Sequence, residues 1–367
     1  MARPDRRKAK TQPVCSYHDR MLETLPRRDL DRLKLHLFKR TVRYAQEHSA
    51  HYRAVLKDAK FELKDVRTLE DISLVPVLSR FELAFSQSSW PPFGDMLCVD
   101  PFAVSTTIMT SGTMGRPLLV PLTENDTMHY FAPDSELWRR AIHPLGHRKD
   151  DVFQSTWGHT LDTWAVSSLS FTRRRPCTPF VITGDVPVEQ QLTAMSRLRT
   201  TVLITNFRMC NELGKHLSEL PKNVLNSIRL RAIIVSGAPG RKDLGQLNID
   251  GREITILELA FAAEAGLIGA GCRSCDGLHV PEDHLLVEVL DDGGVSVAPG
   301  EKGELVVTTL RREAMPLIRY RIGDVTAMVP EPCPCGRTHV RIKGLLGKVG
   351  PRHIIDAQNA NGPVMDH

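Results

Sequence analysis

The stretch Thr110-Ser111-Gly112-Thr113-Met114-Gly115-Arg116-Pro117 lies between the apolar-leaning FAVSTTIM (102–109) and the strand-like PLLVPLT (117–123). Its small and hydroxylated residues suit a loop that wraps around phosphate oxygens, because glycine admits unusual dihedrals and lets backbone N–H groups approach an anion closely. Thr110, Ser111 and Thr113 add O–H donors and Arg116 a cation. It is not a Walker loop, since the Gly-x-x-x-x-Gly-Lys-Ser/Thr spacing is absent. Taken alone, the same residues also describe an ordinary polar hairpin turn.

Downstream of this loop, apolar runs alternate with helical stretches: TTVLITNF (200–207), the helical LSELPKNVLNSIR (217–229), RAIIVSG (231–237) and EITILELA (253–260). Such alternation predicts an α/β layer with a largely buried sheet. After about Leu278 the pattern changes to hairpins, with HLLVEVL (284–290), the turn Asp291-Asp292-Gly293-Gly294, VSVAP, and GELVVTTL (303–310). This part is expected to be mainly antiparallel β. Upstream, Leu30, Leu33, Leu37, Tyr44, Ala45, Tyr52 and Val55 recur near helical spacing and predict one or two helices over 28–58. Connections and short helices are expected over 59–100.

The chain has 367 residues, 41% of them hydrophobic and 25% charged, enough for a sizeable core. A formal charge of +5 from 48 basic and 43 acidic residues is too mild to announce a nucleic-acid partner. No stretch approaches the ~20 apolar residues of a spanning helix, so no membrane partner is expected and the location is read as cytoplasmic. The opening MARPDRRKAK holds five basic residues and one acid, and residues 1–27 are expected to be a solvated, disordered tail. The polar DAQNANGPVMDH (356–367) is expected to be a frayed end.

Eight cysteines are too sparse for a disulfide scaffold, but four fall in two close pairs, Cys272/Cys275 and Cys333/Cys335. With His279 they offer five candidate ligands for the four positions of a tetrahedral Zn²⁺ site of structural type. Cys15, Cys98, Cys177 and Cys210 are isolated and expected to be inert.

The 110–117 loop resembles the phosphate loop of the adenylate-forming superfamily, Ser/Thr-Ser/Thr-Gly-Thr-Thr-Gly-x-Pro. LEDISLVPVLSRFEL (69–83), GLHVPEDHLLVEV (277–289), GEKGELVVTTLRREAMPLIRYRIGD (300–324) and CPCGRTHVRIKGLLGK (333–348) resemble the phenylacetate-CoA ligase branch, in the same order. The resemblance runs from about Arg28 to Ile355. It implies an α/β N-terminal domain of an adenylate-forming enzyme, with mixed sheets flanked by helices and a β-rich C-terminal part. It also implies that ATP with Mg²⁺ and a small carboxylic acid give an acyl-adenylate, from which CoA takes the acyl group.

The resemblance places catalytic roles on Thr113 and Glu264, with Glu264 also helping to hold Mg²⁺. Nucleotide contacts fall on Thr110, Ser111, Gly112, Thr113, Gly115 and Arg116, on Ser236-Gly237-Ala238 along the adenine, and on Asp324 at the ribose hydroxyls, where a carboxylate presents two acceptors to a diol. The family's adenine-stacking Tyr-Gly becomes Ala260-Phe261 here, and Phe261 supplies the ring if the turn shifts by one residue. Trp157, His159 and Trp164 are candidates to line the acid's cavity. In the metal constellation the match falls on Cys272, His279, Cys333 and Cys335, leaving Cys275 as a spare or alternate. At the hinge, Gly-Arg-Ser-Asp-Asp becomes Gly347-Lys348-Val349-Gly350-Pro351, with Lys348 in reach of the ribose in place of the arginine. The family's small lysine-bearing C-terminal domain is expected to be missing. That leaves an adenylating enzyme that is impaired or completed by a separate protein, with slow pyrophosphate exchange and slower thioester formation, or alternatively a decayed binding protein or a truncated product.

Overall fold

The computed structural model describes residues 17–110, 117–131, 135–146, 148, 150–156, 180–184, 186–236, 246–273, 277–349 and 354–356. Helices α1 (Arg20–Glu23), α2 (Arg27–His48), α3 (Ala50–Asp58) and α4 (Arg80–Ser89) come first, with two short 3₁₀ turns between α3 and α4. Strands β1 (Thr106–Met109) and β2 (Leu119–Leu122) pair as an antiparallel hairpin, and the segment 110–118 is its connection.

A parallel leaf follows, formed by β3 (Phe153–Ser155), β4 (Phe180–Ile182), β5 (Val202–Asn206), β6 (Ala232–Ser236) and the first half of β8 (Arg252–Ala262), in the order β4-β3-β5-β6-β8. Strand β7 (Gln246–Ile249) pairs antiparallel with β8. The runs read as continuously apolar are buried on both faces. Leu203, Ile233 and Val235 pack with the helices Val188–Leu198 and Phe207–Glu219, whereas Val202, Ile204, Ala232 and Ile234 join the main core on the other side. Successive strand residues point to opposite faces, so a layer covered twice needs apolar residues at every position.

The β-rich part consists of β9 (Gly266–Ala270), β10 (Leu278–His279), β11 (Leu285–Leu290), β12 (Lys302–Thr309), β13 (Tyr320–Val329), β14 (Arg341–Ile342), β15 (Gly347–Val349) and β16 (Ile354–Asp356), all antiparallel. Strand β13 joins the two leaves. It pairs with β12 between Tyr320 and Ala327, with β15 through Asp324 and Val325, and with β14 through Met328 and Val329. The layered α/β architecture with mixed sheets and a β-rich C-terminal part agrees with the sequence expectation.

The expected tail over 1–27 requires a correction, because residues 17–27 are tied down. Arg337 Nε donates to Glu23 Oε2 at 2.5 Å, Thr338 Oγ1 to the Leu25 carbonyl at 2.7 Å, and the Tyr17 hydroxyl to the Cys335 carbonyl at 2.6 Å. The partners lie more than 300 residues away, which no local pattern reveals. Helix α2 is anchored similarly: Glu282, 2% exposed, accepts from Arg27 at 2.6 Å and from Lys34 at 2.7 Å. Burial pushes the Glu282 carboxyl up, but the Arg27 hydrogen bond and the charges of Lys34 and Arg27 prevail and hold it down to about 2.

A depressed carboxyl contributes stability that is present above its ordinary value of 4.5 and lost as the pH falls toward 2. Glu282→Gln should therefore cost about 1.5–3 kcal/mol at neutral pH, because Arg27 and Lys34 lose their buried carboxylate and keep only Asp31 as an ionic partner. It should also flatten the acid limb of the stability curve. Urea denaturation at pH 7 and pH 3 checks both, and an unchanged midpoint at pH 7 would show that the triad contributes nothing.

Candidate nucleotide site and cysteine–histidine centre

Thr110, the residue after β1, closes the base of the hairpin. Its backbone N–H donates to the Leu118 carbonyl at 2.9 Å, and its hydroxyl accepts from the Leu118 N–H at 2.9 Å. Ser111, Gly112, Thr113, Gly115 and Arg116 lie outside the described residues, as do Gly237, Ala238, Trp157, His159, Trp164 and Cys275. Ser236 ends β6, 8% exposed, in register with Leu259 of β8. Phe261 stands at the irregularity where β8 turns from β6 toward β9, half-buried against the main core.

Glu264 sits in the tight turn between β8 and β9. Its Oε1 accepts from Arg80 Nη1 at 2.5 Å and from the Tyr320 hydroxyl at 3.3 Å. Arg80 Nη2 donates to Thr110 Oγ1 at 3.0 Å, so one guanidinium connects the turn to the base of the hairpin loop. Burial, followed by the Glu264 charge, raises the Tyr320 phenol above its usual value and keeps it a neutral donor.

Asp324 lies in β13, 5% exposed, opposite Lys348 of β15, and Lys348 Nζ reaches Asp324 Oδ1 at 2.7 Å. The two residues that the sequence assigns to the ribose are therefore brought together by strand register. Burial pushes the Asp324 carboxyl up, the Lys348 charge opposes this, and the Glu264 charge adds to it. Asp324 and Glu264 consequently share one electrostatic neighbourhood.

The arginines that frame Asp324 in sequence serve the fold. Arg319 forks onto Glu288 at 2.9 Å and donates to the Val75 carbonyl at 2.6 Å, which holds its left-handed backbone (φ 49°) in place. Arg321 pairs with Glu304 at 2.5 Å. Sequence reasoning assigned no role to Arg80. Its one signal was a cation within the SRFEL segment of the family-like run.

The second centre gathers Cys272, which follows β9, His279 of β10, and Cys333 and Cys335 in the connection from β13 to β14. Their donor atoms all lie within 4.8 Å of one another. Cys272 and Cys333 sulfurs are 3.7 Å apart, and Cys335 Sγ is 3.3 Å from His279 Nε2. A tetrahedral site with zinc–sulfur bonds of ~2.3 Å and zinc–nitrogen bonds of ~2.0–2.1 Å has edges of about 3.8 and 3.6 Å, so the donor set fits that ion. His279 Nδ1 faces the His339 carbonyl at 3.3 Å, which leaves Nε2 as the ligating nitrogen. Contacts with Cys272 and His279 hold the Cys335 thiol below its usual value, although Cys333 and burial oppose them. Elsewhere burial keeps the thiols protonated, with Cys98 pushed up to about 12 and Cys210 to about 11. Gly277, at φ +108°, precedes β10 where a Cβ would lie only 2.9 Å from the Ile342 carbonyl oxygen, so a residue with a side chain would crowd β14.

Among the described residues, no helix is long and apolar enough to cross a membrane. No family model matches the chain. It is 30% identical over 344 residues to the phenylacetate-coenzyme A ligase of Thermus thermophilus, covering 92% of this chain and 74% of that protein. The phenylacetate-coenzyme A ligase of Aromatoleum evansii is 25% identical over 348 residues, with the same coverage. Among solved structures, 2-hydroxyisobutyryl-CoA ligase in complex with 2-HIB-AMP and CoA superposes with a TM-score of 0.79 at 23% identity, over 94% of this chain and 74% of that one. This last likeness bears on the fold. At 30% identity over 92% of this chain and 74% of such a relative, the chain belongs to the phenylacetate-CoA ligase family of AMP-forming acid–CoA ligases.

Proposed function

We propose that the protein activates a carboxylic acid with ATP and transfers the acyl group to CoA, with phenylacetate, the acid named for its relatives, as the first candidate. The observation that carries this reading is the Arg80 fork, which ties Glu264 to the base of the β1–β2 hairpin, with Tyr320 of β13 donating to the same carboxylate and the Asp324–Lys348 pair further along that strand. Asp324 accepts the two ribose hydroxyls, and Lys348 keeps it ionised and turned toward them. The 110–117 loop and Thr113 hold the triphosphate, Ser236-Gly237-Ala238 and Phe261 take the base, and Arg116 adds positive charge. An oxygen of the acid attacks the α-phosphorus, forming the acyl–phosphate bond as pyrophosphate leaves. The CoA thiol then attacks the acyl carbon, its proton goes to solvent, and AMP departs.

Mg²⁺ fits at Glu264, whose described hydrogen bonds all fall on Oε1, and when bound it would neutralise phosphate charge. Zn²⁺ fits the Cys272, His279, Cys333 and Cys335 set as a closed, structural site far in role from the chemistry.

ATP–pyrophosphate exchange over a panel of carboxylic acids tests the function. Exchange dependent on one acid class is expected, with CoA thioester appearing when CoA is added. ATP binding without exchange for any acid would instead identify a nucleotide-binding protein that has lost its chemistry.

A further inference from the structure

Arg80 is the first residue of α4, and a cation there is placed against local electrostatics, since the positive end of the helix dipole lies at the N-terminus. The rest of that turn follows the usual rules: Ser79 caps the helix, and Glu82 closes a capping box. A residue that breaks a local preference inside an otherwise well-formed element points to a tertiary reason. Here the reason is visible in the fork. Nη1 donates to Glu264 Oε1 at 2.5 Å and Nη2 to Thr110 Oγ1 at 3.0 Å, so two different elements are gripped by one planar group.

The base of the fork is itself fixed. Leu78 N–H donates to the Arg319 carbonyl and Arg321 N–H to the Leu78 carbonyl, both at 2.9 Å, stitching the start of α4 to β13 just ahead of Asp324. Glu264 is also held by its backbone, its carbonyl accepting from Arg312 Nη2 at 3.1 Å. All described hydrogen bonds to the Glu264 carboxylate fall on Oε1, so Oε2 is the oxygen left to meet a cation.

We propose that Arg80 is a positioning residue of the metal–nucleotide site. By holding Oε1 of Glu264 and the hydroxyl of Thr110 in one guanidinium fork, it fixes the Glu264 carboxylate beside the base of the β1–β2 hairpin and sets how tightly that site takes a divalent cation. This inference rests on the adenylating function proposed above. Partners that orient a ligating group typically change metal affinity by about 10–100-fold. Lysine in its place reaches one partner but not both, because an ammonium group lacks the planar fork.

The test is a Mn²⁺ titration of the full chain in the presence of α,β-methylene ATP, read by electron paramagnetic resonance. A parallel titration with AMP, which needs no metal, reports the Asp324 end of the site. Arg80→Gln should raise the Mn²⁺ midpoint by about 10–100-fold, with Arg80→Lys intermediate and AMP affinity kept within about two-fold in both. In the Glu264→Gln background, Arg80→Gln should add little, since the two residues act through one contact. An unchanged Mn²⁺ midpoint in Arg80→Gln overturns the inference. So does an equal loss of Mn²⁺ and AMP binding, which would make Arg80 a general support of the fold. If the unsubstituted chain shows no nucleotide-dependent Mn²⁺ binding, the adenylating function itself falls, a result that needs none of the variants.

Discussion

Asp324→Ala should weaken ATP and AMP binding by at least about 100-fold, the largest effect expected of any single substitution in the nucleotide site. A hydrogen bond to a charged acceptor contributes ~1.5–3 kcal/mol, and a ribose offers two donors to this one carboxylate. Each ~1.4 kcal/mol is tenfold in affinity, so losing both contacts reaches two decades or more. Asp324 is 5% exposed, so truncation also leaves the Lys348 ammonium group without its carboxylate partner at 2.7 Å. Asp324→Asn separates the contributions, because it keeps shape and one acceptor while removing charge.

The pH dependence follows from the same geometry. Burial raises the Asp324 carboxyl and Lys348 opposes that rise, so Lys348→Ala should move it higher still and shift the acid limb of nucleotide binding toward neutral pH. Isothermal titration calorimetry with AMP across pH 4–8 measures both effects. Unaltered affinity in Asp324→Ala would place the nucleotide elsewhere.

The purified chain should carry close to one equivalent of zinc, and changing both Cys333 and Cys335 to Ser should remove it and lower the melting temperature by about 8 °C or more. An ion present at 1,000 times its dissociation constant stabilises by ~4 kcal/mol, and ~2 °C per kcal/mol is expected for a chain of this size. The loss should spread beyond the four ligands. The Cys333–His339 connection also carries the contacts that hold residues 17–27, with Tyr17 on the Cys335 carbonyl, Arg337 on Glu23 and His339 Nε2 against the Leu22 carbonyl. Limited proteolysis should therefore cut near residue 25 sooner in the double variant. Elemental analysis without metal after chelator-free purification, or an unchanged melting curve in the double variant, would remove zinc from this centre.

Much of this protein was legible in its sequence, for definite reasons. The apolar runs 202–204 and 232–235 announce strands because a sheet covered on both faces requires apolar residues at consecutive positions, a local property of the chain, whereas 253–260 mixes apolar residues with Glu253, Thr255 and Glu258. A hairpin was the alternative reading of the 110–117 segment, and the family resemblance anticipated that Asp324 and Lys348 would lie together and that Cys272, His279, Cys333 and Cys335 would gather. What tertiary structure alone decided is which distant groups meet. Arg80 looks like an unremarkable helix-start cation until Glu264 and Thr110, 184 and 30 residues away, close on its fork. Residues 17–27 look like a polar tail until their carbonyls and Glu23 find partners more than 300 residues on. Local propensity acts over a turn or a strand, whereas hydrogen-bond partners for buried charges are chosen by packing, and no pattern in the linear chain encodes that choice.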